Sequence, residues 1–176
     1  LAISYSLSWF SWTNNALSDL GGPAPATATA VVLFNSGLII GGILGMMFAV
    51  GLMHMLRKQM LEFIGTFILF LAAVSLIAVG VFPETAGRIH LYVSVAFFTL
   101  FPISLFFIGA SMTREPTERC LGFVTLLLGV FTVISAAPIV LVSVDDVGIH
   151  ELLAVLSGSA WAIVFGIKLY KQSILC

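Results

Sequence analysis

The strongest constraint in this 176-residue chain is a repeated one: long stretches that carry no charged side chain. A helix rises 1.5 Å per residue, so about twenty residues cross a hydrocarbon core of about 30 Å. Backbone polar groups find no water in that core, so each stretch must close its own hydrogen bonds as an α-helix. A β-barrel would instead show ~10-residue segments of alternating polarity, and these are absent. The expected fold class is all-α, a polytopic transmembrane helix bundle forming a single domain over residues 1–176. Only 9% of the residues are charged, against about 25% in an ordinary soluble domain.

The charged residues mark where the spans stop. Apolar runs extend from Val31 to His54, Glu62 to Phe82, His90 to Met112, Cys120 to Val144 and Ile149 to Tyr170. The opening LAISYSLSWF reads as the end of an earlier span, because ten residues reach only about 15 Å. Six helices are therefore expected, the first shortened. The chain opens at Leu1 with no basic segment ahead of the apolar run, unlike a signal peptide.

Short loops give the orientation. Arg57, Lys58, Arg114, Arg119, Lys168 and Lys171 all fall on one side of the bundle, and Arg88 alone on the other. Basic loops stay in the cytoplasm, so a cell-membrane protein with both termini cytoplasmic is expected. The opposite side collects Asp19, Glu84, Asp145, Asp146 and Glu151, with His90 and His150. No basic cluster suited to nucleic acid occurs. Cys120 and Cys176 form no paired motif, so neither a disulfide framework nor a thiolate metal site is indicated.

Gly37, Gly41 and Gly45 repeat at four-residue spacing in the first full span. Such a small-residue face lets another helix approach closely, and it is the expected partner surface within this chain or with another. Thr125, Gly129, Thr132 and Ser135 give a second small, weakly polar stripe, expected to face inward. Phe97, Phe98, Phe101, Phe106 and Phe107 form an aromatic wall near Pro102, read as packing rather than as a cofactor site.

Polar groups inside or at the edge of the membrane face the bundle interior and mark function by default. His90 begins one span and His150 another, each near a carboxylate in sequence, Glu84 and Glu151. Asn35 adds an amide just inside the first full span. Together with Asn15, Ser18, Asp19 and Arg88 these suggest one polar pocket at the outer end. Three chemistries fit. His90, His150, Glu84 and Asp19 are candidate ligands for Zn²⁺. His90 is alternatively a general base oriented by Glu84 and Asp19. The two histidines are alternatively axial ligands of a haem. The loop NNALSDLGG also has a purely structural reading, in which Ser18 or Asp19 caps a short helix and Gly21–Gly22 ends it.

The segments N-x-L-S-D-L-G (Asn15, Leu17 to Gly21), Phe34–Asn35, and Phe82-Pro83-Glu84 with the following His90 carry a resemblance. The chain resembles the six-helix membrane proteins grouped as the domain-of-unknown-function family numbered 998, over nearly its whole length apart from the shortened first helix. That family is distantly similar to six-helix proteins of the Frag/DRAM/Sfk type, some linked with lipid remodelling. This is an analogy of fold. The resemblance implies that Asn15, Ser18, Asp19, Asn35, Glu84 and His90 share one membrane face.

Three function classes follow. One is a protein that binds or processes a lipid headgroup, with His90, Glu84 and Asp19 reactive and Asn15, Ser18, Asn35, Arg88, His150 and Glu151 holding the ligand. The others are a non-catalytic membrane subunit docking through its glycine face, and an electron carrier.

Overall fold

A computed structural model of the chain describes residues 1–55, 59–141 and 147–174. Arg57, Lys58, Asp145, Asp146 and Cys176, which entered the loop and cysteine readings above, lie outside the described residues. The described chain contains α1 (Ala28–Met55), α2 (Met60–Val81), α3 (Arg88–Met112), α4 (Arg119–Leu141) and α5 (Val147–Ile174). Short 3₁₀ turns occupy Ala2–Tyr5, Leu17–Gly21 and Glu84–Ala86. Among the described residues, five helices are long and apolar enough to cross a membrane, and there is no strand. By length and composition, then, the chain is an integral membrane protein.

The expected end of a sixth helix at LAISYSLSWF is replaced by turns. Ser4 Oγ donates to the Leu1 carbonyl at 2.6 Å and Ser6 Oγ to the Ala2 carbonyl at 3.2 Å. The Ser6 carbonyl accepts from both Trp9 and Phe10. Closely spaced hydroxyls compete for nearby backbone groups and favour turns over a helix.

Each helix packs against the next in sequence, so the bundle runs α1 to α5 as a chain of antiparallel neighbours. The core joins Leu52, Leu69, Leu105, Ile108, Trp161 and Phe165. Large apolar side chains such as Leu44, Met47, Leu127 and Ile163 lie exposed on the outside, as expected where the solvent is lipid. The Thr125, Thr132 and Ser135 stripe is buried as expected. Thr132 Oγ1 pairs with Ser157 Oγ at 2.6 Å, and Trp161 Nε1 donates to Thr125 Oγ1 at 3.2 Å.

The glycine face of α1 packs on α2 in part. The tight α1–α2 contact is made by Gly42, where a Cβ would lie 2.5 Å from Ile77 Cγ1 and 2.8 Å from the Ala73 carbonyl. A Cβ on Gly41 would meet only Leu76, at 4.0 Å, and one on Gly37 would meet nothing. Within the chain, close approach uses Gly42 beside the repeat and Gly45 within it, whose Cβ would lie 3.2 Å from Ala73 Cβ, while Gly37 faces open space.

Candidate functional site

The NNALSDLGG loop folds on its own polar side chains. Asp19 Oδ2 accepts from Asn15 Nδ2 at 2.9 Å and from the Ala16 N–H at 3.1 Å, while Asn15 Oδ1 accepts from the Ser11 N–H at 3.0 Å. These bonds wind the chain into the 3₁₀ turn Leu17–Gly21, whose Leu20 is buried. The structural reading of this loop is thus present: Asp19 caps the turn and Gly22 follows its end.

That turn is also tied at both ends to the transmembrane helices. At its start, the Leu17 N–H donates to Glu151 Oε2 of α5 at 2.5 Å, and the Ser18 N–H also bonds Glu151. At its end, Asn35 Nδ2 of α1 donates to the Gly21 carbonyl at 3.2 Å. Residues 17–21 therefore form a strap between the first and last helices. Gly148 at the head of α5 packs against the backbone of Trp12 and Asn15, so the approach to the strap is seated on α5 as well.

Glu84 reaches the same place from the α2–α3 turn. Its Oε2 lies 2.6 Å from where a Cβ on Gly22 would stand, so a larger residue there would have to displace the Glu84 carboxyl. The Glu84 carboxyl lies beside that of Asp19. Burial first, and the Asp19 carboxylate second, push the Glu84 carboxyl above its ordinary value. Asp19, Glu84 and Glu151 thus form one acidic group drawn from three separate segments.

The histidines occupy other positions. His90 Nδ1 lies 2.8 Å from the Phe82 carbonyl, tying the start of α3 to the end of α2. A carbonyl only accepts, so Nδ1 carries the proton and a neutral ring keeps its lone pair on Nε2. His150 Nδ1 is buried with no hydrogen-bond partner among the described residues, as is Trp9 Nε1. Arg88 is exposed and makes no ion pair with Glu84 or Asp19 among the described residues. Nor do the described residues hold any group of three or more His, Cys, Asp or Glu placed for a metal ion. The zinc reading of His90, His150, Glu84 and Asp19 has no such cluster behind it.

The polar groups do not line an open polar pocket. They are largely spent on one another and on backbone, and the cavity lies beneath them. It has a volume of about 370 Å³ and is apolar. Its walls come from α1, α2, α3 and α5, with Thr132 from α4; Gly37, Gly41, Phe97, Phe101, Gly158 and Trp161 are among them. Phe48 and Trp161 meet edge to face at 5.8 Å at its far end from the strap. Leu38 and Ala154 in its wall lie one helical turn below Asn35 and Glu151, about 4.5 Å along each axis.

A family model described as "Protein of unknown function (DUF998)" matches residues 1–168. The chain belongs to this family. No curated protein and no solved structure matches it. The DUF998 segments singled out in the sequence converge here: the strap, Asn35 beneath Gly21, Phe34 packed on Gly21, and Glu84 against Gly22.

Two features of this DUF998 chain were not read from its sequence. One is the cavity; its signal was the coincidence of the glycine repeat in α1 with Ala72–Ala73 in α2 and Ala154 and Gly158 in α5. The other is a second polar cluster at the opposite end. There Ser111 Oγ donates to Gln59 Oε1 at 2.9 Å and Gln59 Nε2 to Glu115 Oε1 at 3.0 Å, while Lys168 pairs with Glu118.

Proposed function

We propose that this protein is a membrane-embedded binder of an amphiphile, with the polar head at the strap and the apolar part in the cavity below it. The observation that carries this reading is the stacking: an acidic, amide-bearing roof lies one helical turn above a 370 Å³ apolar cavity. Ligand sites are commonly 300–1,000 Å³, mostly apolar with a few placed polar groups. His150 Nδ1, buried and unpartnered among the described residues at the same end of α5, offers a polar atom that a head group would satisfy. The Glu84–Asp19 pair offers acceptors for a hydroxyl or amine. The basic loops named above support an extracytoplasmic position for the strap and a cytoplasmic C-terminus.

Lipids retained through mild detergent purification test this. The head-group composition should differ from that of the source membrane, and His150→Ala and Glu84→Ala should each change it. A retained set identical to bulk lipid in all three proteins would refute head-group recognition.

A second reading, a non-catalytic subunit of a larger assembly, has its own support. Of the five spans α1 is the least buried, 6% against 22–39% in the others, and Gly51 faces open space. In that case Gly51→Leu, outside the cavity wall, should abolish co-purification of a partner and leave lipid composition unchanged.

A further inference from the structure

The cavity's dimensions specify what fits. From Gly37 to Phe48 its α1 wall runs about 16 Å, at 1.5 Å per residue. Spread over that length, a cavity of about 370 Å³ is a narrow passage rather than a broad chamber. An α-helix with side chains is about 10–12 Å across, so another helix does not enter. A single extended hydrocarbon chain, whose carbons contact neighbours at about 4 Å, does.

The boundaries of the space have the same character. Above, the strap bridges Asn35 of α1 and Glu151 of α5. Below, Phe48 of α1 meets Trp161 of α5. Behind, Phe97 and Phe101 stack at 6.0 Å and Phe101 meets Trp161 edge to face. Between strap and floor, α1 and α5 do not pack closely on each other. The α1 and α5 walls there include the small residues Gly37, Gly41 and Ala154, beside Leu38 and Val155. A bilayer supplies chains at this depth, and filling the space restores dispersion contacts that an empty cavity forfeits.

We infer that the cavity receives one hydrocarbon tail of a membrane lipid, which enters sideways between α1 and α5 beneath the strap. This deepens the amphiphile reading and rests on it for the position of the head. Two sources share this chemistry: a monoacyl lipid, and a diacyl lipid that lends one tail while the other stays in the bilayer.

The test is photolabelling of the full chain in bilayer nanodiscs by monoacyl and diacyl phospholipids carrying a diazirine in one acyl chain. Labelling is expected on peptides containing Phe97, Phe101 and Trp161, residues of the cavity wall. Gly41→Leu should remove it, because its added side chain grows into the cavity with only Leu76 near its Cβ. Gly37→Leu, whose Cβ meets nothing, gives a second blocked variant that folds on the same grounds. Labelling by both probes assigns a diacyl source and labelling by the monoacyl probe alone a monoacyl one. Labels confined to outward residues such as Leu127 and Ile163, or unchanged in both glycine variants, would overturn the inference. The two levels fail separately: cavity labelling that ignores His150→Ala and Glu84→Ala removes the head-group reading, and altered lipid composition without cavity labelling removes the tail.

Discussion

The backbone N–H of Leu17 bonds Glu151 Oε2 across 134 positions of sequence, and through it the loop before the first spanning helix is fastened to the last one. With Asn35 holding Gly21 from α1, the strap links the first and last spanning helices at this end of the bundle.

Removing that fastening should cost measurable stability. Glu151→Ala strands the Leu17 and Ser18 N–H groups, a loss of about 1–3 kcal/mol for a buried bond left unmade. A lower melting temperature in detergent is expected, with Glu151→Gln recovering most of it because an amide oxygen still accepts. Equal melting of the wild type and Glu151→Ala would show that the strap is not held there.

The carboxyl pair makes a pH-dependent contribution whose sign follows from the direction of the Glu84 shift. A carboxyl raised above 4.5 in the folded protein binds its proton more tightly than in the unfolded chain. Its stabilising effect is therefore complete below the ordinary value and is lost as pH rises through the folded one. Thermal stability should decline over that interval in the wild type. In Glu84→Gln, which keeps a donor for Asp19 without titrating, the decline should flatten. An unchanged slope in Glu84→Gln would place the titration elsewhere.

Gly42 and Gly37 make a contrasting pair. Gly42→Ala puts a methyl 2.5 Å from Ile77 Cγ1 and close to the Ala73 carbonyl, and such overpacking typically costs about 1–3 kcal/mol. Gly37→Ala meets nothing and should stay within about 0.5 kcal/mol of the wild type. Unfolding of the two variants side by side checks the register of α1 on α2.

At the turn that carries Glu84, Gly87 has φ of +61° and ψ of −119°, a conformation that favours glycine. Gly87→Ala should destabilise the α2–α3 connection by about 1–3 kcal/mol. It should also loosen the His90–Phe82 tie, readable as faster amide exchange at the start of α3.

The spans were legible because charged and turn-forming residues punctuate them. Structure places Val31–His54 as Ala28–Met55 and His90–Met112 as Arg88–Met112. The opening segment misled because its apolar residues suggested a span while Ser4 and Ser6 bind backbone carbonyls. The strap was legible as a convergence of Asn15, Asp19, Asn35 and Glu84, each a polar group that lipid would not tolerate alone. Its fastening to Glu151 was not legible, since nothing local in either segment encodes a contact between them. His90 looked like a reactive group in sequence, whereas the bond from its Nδ1 goes to a backbone carbonyl. The cavity was hidden for another reason: a glycine repeat reads alike whether a helix covers it or space does.

Amphiphile binding is tested most directly at Trp161, which is only 1% exposed yet lines the cavity. In bilayers containing lipids brominated along one acyl chain, a tail in the cavity brings bromine against that indole. Saturable quenching of tryptophan fluorescence is expected in the wild type, with its saturable part absent from Gly41→Leu. Identical quenching in the two proteins would mean that no lipid tail occupies the space beneath the strap.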